Sequence, residues 1–80
     1  MKLSISLFGI TKEIVGQPEV NYTLPPASKV SDLTDRLKAD YPRLQDLRSF
    51  FVAVNSEYAE EEYELQENDE VALIPPVSGG

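Results

Sequence analysis

The sequence contains no cysteine, no histidine and no tryptophan. Without cysteine, the chain can form neither a disulfide framework nor a thiolate-based zinc or iron–sulfur site. Without histidine, it lacks both the usual imidazole base and the commonest metal ligand. These absences argue against triad hydrolysis and zinc catalysis, and they indicate that the chain is not a self-sufficient enzyme of those classes.

Basic residues are also scarce, with 7 Lys+Arg against 14 Asp+Glu and a net charge of −7. A nucleic-acid-binding protein would show a basic stripe, so no nucleic acid is expected as a partner. All seven bases lie in residues 1–48, whereas residues 49–80 hold eight acids and no base. This acidic half is either a solvated surface or a field that steers a basic partner. No EF-hand loop organises the carboxylates, so no metal site is expected.

Long hydrophobic runs are missing as well. No apolar stretch approaches the roughly 20 residues that a membrane helix needs, so no membrane partner is expected. Residues 2–8 alternate between polar and apolar, unlike the continuous apolar core of a signal peptide. The cytoplasm is therefore the expected location, and 80 residues predict a single domain.

Hydrophobic periodicity predicts the N-terminal half. Alternation with period two predicts strands over residues 2–8 and 20–24, joined by one or two helical turns that end at Gly16. The main helix is predicted from Val30 to Tyr41, because its apolar residues recur at spacings of three and four. Ser28 or Ser31 is expected to cap that helix, and the proline after Tyr41 to end it.

The second half predicts three more strands. Phe50–Val54 is a nearly continuous apolar run, typical of a central strand that is covered on both faces. Tyr58–Ala59 predicts a short strand, and Val71–Ile74 predicts the last one. The acidic segment between them is expected to be irregular and anchored to the core by Tyr63 and Leu65. The order of elements predicts an α+β fold, with a mixed sheet packed on one main helix.

The last six residues form a distinctive tail, predicted to extend from a domain of residues 1–74. Two prolines stiffen the exit from the last strand, and two glycines leave a slender end that another protein's channel can enclose. Over this length the chain can reach roughly 20 Å, at about 3.3–3.6 Å per residue. The residues concerned are Pro75, Pro76, Val77, Ser78, Gly79 and Gly80.

This tail resembles that of the ubiquitin-like sulfur carriers that form the small subunit of molybdopterin synthase. Further similar segments are Phe8 with residues 12–16, the strand end at 53–55, and residues 68–72 before the prolines. The resemblance spans nearly the whole chain. It implies a β-grasp fold, with the tail carrying the reactive group.

The resemblance also implies a role in molybdenum cofactor synthesis. An E1-like adenylyltransferase, which supplies ATP and Mg²⁺, would adenylate the carboxylate of Gly80. A sulfur donor protein would then convert it to a thiocarboxylate. The tail would enter the large subunit of a heterotetrameric synthase and give sulfur to cyclic pyranopterin monophosphate. This chain itself would bind no cofactor.

An exposed apolar surface is expected to meet the partner. Period two places Val71 on the core face of the last strand and Ile74 on the opposite face, where Phe8 and Tyr58 are predicted to join it. Lys12 stands where the family often has arginine, and it is included in this partner interface. The bland alternative is that Phe8 or Tyr58 only covers an edge of the core.

Three other functions remain open. A thiamine-pathway sulfur carrier also ends in Gly-Gly. A ubiquitin-like modifier would instead join Gly80 to lysines of target proteins. A β-grasp binding module with an inert tail would do neither.

Overall fold

Five strands and two α-helices follow one another in the predicted order, in a computed structural model that describes residues 1–47 and 50–75. The elements are β1 (Lys2–Leu7), α1 (Gly9–Val15), β2 (Glu19–Thr23), α2 (Val30–Asp40), a 3-10 helix (Pro42–Asp46), β3 (Phe51–Val54), β4 (Glu57–Tyr58) and β5 (Glu70–Ile74). Within the described ranges, no helix is long and apolar enough to cross a bilayer.

All five strands form one mixed sheet in the order β2-β1-β5-β3-β4. β1 and β5 are parallel, and the other neighbouring pairs are antiparallel. β5 is last in chain order, yet it lies in the middle of the sheet. The predicted α+β architecture, a mixed sheet on one main helix, is confirmed.

The core lies between this sheet and α2. Alternate residues of β1 and β5 are buried, as period two requires, and they meet the apolar stripe of the helix. Each of these residues is at most 2% exposed; they are Leu3, Ile5, Leu7, Val71 and Leu73 of the sheet and Val30, Leu33 and Leu37 of the helix.

The predicted serine cap of α2 is wrong. Lys29 occupies the N-cap position, and its backbone N–H donates to Asp32 Oδ2 at 2.8 Å. The hydroxyl of Ser28 donates instead to the carbonyl of Pro25 at 2.7 Å. The capping hydrogen bond is therefore made by a carboxylate in the first turn and not by a serine hydroxyl. The negative charge of this carboxylate also interacts favourably with the positive end of the helix dipole.

The acidic segment after β4 runs along the N-terminus of α2. Carbonyls of Tyr63 and Glu61 accept the first helical N–H groups, those of Val30 and Ser31, each at 2.9 Å. The side chain of Leu65 is buried, as predicted. That of Tyr63 is exposed, so the prediction was wrong there, because the backbone of this residue makes the attachment.

The prediction that the strand at residues 50–54 is covered on both faces was wrong for one face. Val52 and Val54 face the core, but Phe51 is half exposed on the other side of the sheet. Among residues 1–47 and 50–75, β3 has only the two-residue strand β4 beyond it in the sheet, and half of Phe51 remains exposed. A two-residue turn with positive φ at Asn55 and Ser56 joins β3 to β4.

Candidate functional site

Opposite the core, the sheet presents an outer face with an apolar end. Because β5 alternates, Ile74 points away from the core side, on which Leu73 lies. The register pairs Ile74 with Phe51. In the adjoining hairpin, Tyr58 pairs with Ala53, two residues further along β3 and on the same face as Phe51.

Phe8 completes this cluster. Its backbone is extended, with φ −131° and ψ 151°, and it directly follows Leu7, whose side chain faces the core. Its side chain therefore turns to the outer face, and Ile74 follows Leu73, the residue that pairs with Leu7 at the end of the β1–β5 register. We call Phe8, Phe51, Tyr58 and Ile74 the apolar patch.

The three aromatic residues of the patch are exposed, and Ile74 is partly exposed. Phe8 is 52% exposed, Phe51 50% and Tyr58 73%, and the Phe51 and Tyr58 rings lie 5.5 Å apart in a tilted arrangement. Clustered exposed aromatics of this kind mark interaction sites. The predicted surface of Phe8, Tyr58 and Ile74 thus lies on one sheet face.

Phe51 is the member that sequence reasoning missed. A continuous apolar run hides which residues face outward, and only the register with Ile74 reveals it. Lys12, also predicted for this interface, is an exposed residue of α1, and its place in the interface stays a prediction.

The tail begins beside this patch. Pro75 directly follows Ile74, and its ring packs over Gly9, the first residue of α1. Residues Pro76, Val77, Ser78, Gly79 and Gly80, which were predicted to carry or present the reactive group, lie outside the described residues.

An acidic groove of about 540 Å³ adjoins the patch. Its lining shares Tyr58 with the patch and also includes Tyr63. Three carboxylates also line it, those of Glu57, Glu60 and Glu62. The groove therefore places negative charge next to exposed aromatic surface.

The model of the ThiS family matches residues 5–80, nearly the whole chain. The chain belongs to the ThiS family. The resemblance to ubiquitin-like sulfur carriers is thereby confirmed.

Similar proteins of known name agree with this ThiS-family membership. The molybdopterin synthase sulfur carrier subunit of Arabidopsis thaliana is 35% identical, over 100% of this chain and 84% of the relative. The crystal structure of small archaeal modifier protein 1 from Haloferax volcanii superposes with a TM-score of 0.86 at 28% identity, covering 100% of both chains.

A chain from a third protein shares the fold. It belongs to the complex of subunits 1 and 2 of the molybdopterin-converting factor from Helicobacter pylori 26695. The match has a TM-score of 0.71 at 20% identity and covers 100% of both chains. Ubiquitin-like β-grasp proteins are thus the structural neighbours of this ThiS-family chain.

Proposed function

We propose that this chain is the sulfur carrier subunit of a molybdopterin synthase. The observation that carries the proposal is the exposed apolar patch beside Pro75, in a chain of the ThiS family. A partner seated on this patch would have the start of the tail at the edge of its contact surface. The relative from Arabidopsis, named as such a subunit, supports the choice of pathway.

Gly80 is the proposed reactive residue, through its terminal carboxylate. A carboxylate oxygen attacks the α-phosphorus of ATP, and pyrophosphate leaves. A sulfide equivalent from the sulfur donor protein then displaces AMP from the acyl-adenylate and leaves a thiocarboxylate. Sulfur passes to cyclic pyranopterin monophosphate, and water releases the acyl end as a carboxylate.

The activating chemistry belongs to a partner in this proposal. An E1-like adenylyltransferase holds ATP and Mg²⁺, and this chain contributes only the carboxylate. Residues Pro76, Val77, Ser78 and Gly79 form the slender arm inside the partner's channel, since prolines hold a chain extended and glycine adds no side chain. The reactions take place in the cytoplasm.

The large subunit of the synthase is the proposed docking partner, in a heterotetramer. A solved complex of subunits 1 and 2 of a molybdopterin-converting factor supports this kind of pairing for the fold. Phe8, Phe51, Tyr58 and Ile74 are the proposed anchors. The acidic groove next to Tyr58 favours a partner whose facing surface is basic, because complementary charge raises the rate of association.

A second candidate function is protein modification through Gly80. The likeness to small archaeal modifier protein 1, at 28% identity over the full chain, favours it. A modifier forms an amide with a lysine of its target, whereas a carrier ends as a thiocarboxylate. A thiamine-pathway carrier would form the same thiocarboxylate and differ in the acceptor.

Intact-mass measurement after incubation with the E1-like enzyme, ATP, Mg²⁺ and the sulfur donor separates these functions. The carrier gains the mass difference between one sulfur and one oxygen atom. Addition of the large subunit and cyclic pyranopterin monophosphate should then return the original mass and yield the dithiolene product. Amide-linked conjugates would indicate the modifier instead.

Deletion of Gly80 provides the matched variant. It should abolish both the mass gain and product formation, while the melting temperature stays unchanged because the tail lies beyond the last strand. A truncated chain that still converts the precursor would refute the proposal.

A further inference from the structure

We propose that Gly9 is a positioning residue for the tail. Because glycine has no side chain, the ring of Pro75 can pack directly against the Gly9 backbone, and we call this contact the seat of Pro75. The inference rests on the proposed function and deepens it. The patch holds the partner, and the seat of Pro75 sets where the arm leaves the domain.

The contact is close. A Cβ on Gly9 would lie 3.0 Å from Cγ of Pro75, which is tighter than nine in ten real Cβ contacts, so the Pro75 ring would have to move by a few tenths of an ångström. Gly9 also has φ +55°, in the left-handed region that glycine enters without steric cost. Any larger residue here therefore meets the Pro75 ring directly.

The helix α1, which begins at Gly9, packs against the end of β5 through Thr11. Thr11 is fully buried, and its hydroxyl accepts the backbone N–H of Phe8 at 3.1 Å and donates to the carbonyl of Phe8. The same hydroxyl oxygen lies 3.5 Å from the carbonyl oxygen of Leu73. The first turn of α1 thus packs against the strand that precedes the tail. An added side chain at Gly9 would move Pro75, which lies beyond the last ladder residue, more easily than the buried turn.

A shift at this seat matters because it acts at the base of a long arm. Five residues follow Pro75, and an extended chain of that length reaches roughly 17 Å. A rotation of about 10° at the base would move the far end by roughly 3 Å over that reach. Misplacement of a reacting group by about 1 Å can reduce a rate a hundredfold.

Gly16 is a matched control at the other end of the same helix. It too has positive φ, +85°, but a Cβ there would meet nothing within 4 Å. Substitutions at the two glycines therefore carry similar backbone strain, and only those at Gly9 displace the Pro75 ring. Gly9→Ala, Gly9→Val, Gly16→Ala and Gly16→Val form the test set.

The readout is the single-turnover rate of sulfur transfer from each thiocarboxylated chain at saturating large subunit. We expect the rate to fall severalfold for Gly9→Ala and at least about tenfold for Gly9→Val, and to stay within about twofold for both Gly16 variants. Melting temperatures should fall alike within each Ala pair and each Val pair. Equal transfer rates for Gly9→Val and Gly16→Val would overturn the inference.

A double-mutant cycle tests the contact itself. Pro75→Ala removes the ring atom that the new Cβ would meet, so Gly9→Ala should cause no further loss of rate in that background. Losses that multiply independently would show that Gly9 does not act through Pro75.

NMR of the free chain keeps the inference separate from the proposed function. Nuclear Overhauser contacts between Gly9 Hα and the Pro75 ring are expected in the wild type. Pro75 resonances should shift in Gly9→Ala and not in Gly16→Ala. If the wild type accepts no sulfur, the proposed function fails, and unchanged Pro75 resonances in Gly9→Ala would overturn the seat independently.

Discussion

Tyr22 connects the edge strand β2 to the end of α2 through a small group of polar contacts. Its hydroxyl donates to Asp40 Oδ2 at 2.7 Å, and Arg36 Nε lies 3.3 Å from the same oxygen. The Arg36 guanidinium also lies over the Tyr22 ring, 5.3 Å from its centroid. In the part of the chain that the structure describes, β2 has β1 as its only strand neighbour, and this side chain supplies a further attachment for it.

Removal of the Tyr22 hydroxyl should therefore destabilise the domain. Tyr22→Phe is expected to lower the free energy of unfolding by about 1 kcal/mol, because a hydrogen bond to a carboxylate is lost. Urea unfolding at pH 7 measures the change. Tyr63→Phe is the control, since within the described ranges the Tyr63 hydroxyl makes no hydrogen bond, and an equal loss there would contradict the assignment.

The same residue predicts a dependence on alkaline pH. Partial burial raises the pKa of Tyr22 well above its usual value near 10, and the hydrogen bond to Asp40 adds to this. Below pH 10 the phenol is neutral in both states and its full contribution is present. Above pH 10 the unfolded chain loses the proton first, so stability is lost as pH rises toward the raised pKa.

Urea titrations of wild type and Tyr22→Phe between pH 7 and 11 test this. The stability advantage of the wild type should be constant to about pH 10 and then shrink. Subtraction of the variant removes the contribution of the other tyrosines. An advantage that grows with pH would contradict the assignment.

Among the elements, α2 begins with its N–H groups bonded both to carbonyls outside the helix and to a carboxylate of its own first turn. Tyr63 and Glu61 carbonyls and the Asp32 carboxylate accept the N–H groups of the first turn and its cap. The acidic segment thus attaches by its backbone, and its side chains remain free to carry charge.

Asp32→Ala should accordingly cost about 1 kcal/mol of unfolding free energy, since the Lys29 N–H loses its acceptor and the dipole loses a nearby negative charge. Asp35→Ala, with the same charge change one turn further on, should cost clearly less. Thermal unfolding of both variants gives the comparison. A larger loss from Asp35→Ala would argue against the cap.

Elements with a clear period were predictable from the sequence, and elements without one were not. The apolar residues of β1 recur every two residues and those of α2 every three to four, so the spacing predicts the buried face of each element. In the apolar run around β3, Val52, Ala53 and Val54 are all buried, and only the register with β5 places Phe51 on the outer face, so Phe51 was misjudged. Tyr63 was misjudged because the sequence does not tell a backbone attachment from a side-chain one.

The candidate site was predictable in part for the same reason. Phe8 stands out because it is a large apolar residue on the otherwise polar face of β1. Ile74 stands out because the alternation in β5 places it on the face opposite the core. Gly9 and Pro75 are close in space but far apart in sequence, so no local sequence pattern predicts their contact.

At the scale of the whole molecule, the sheet has one face that forms the core and one that we propose for association. The inner face packs on α2, while the outer face leaves the apolar patch exposed. Eight acids and no base in residues 49–80 add a negative field to the half of the chain that leads into the tail. Replacement of side chains by alanine should therefore have different effects on the two faces.

Phe51 and Val52, neighbours on opposite faces of β3, test this division. Phe51→Ala should weaken binding to the large subunit by about 1–3 kcal/mol, with little change in melting temperature. Phe8→Ala and Ile74→Ala should behave in the same way. Val52→Ala should do the reverse, since it leaves a gap in the core. Calorimetry and thermal unfolding of the variants give both quantities, and unchanged affinity for Phe51→Ala would place the interface elsewhere.

The central place of β5 has a consequence for biosynthesis. The sheet cannot close until this last strand has been made, because β1 and β3 each need it as a neighbour. A nascent chain that stops before residue 70 would leave both strands without their shared partner, exposed to proteolysis. Native folding thus requires translation to have reached the end of β5 at Ile74.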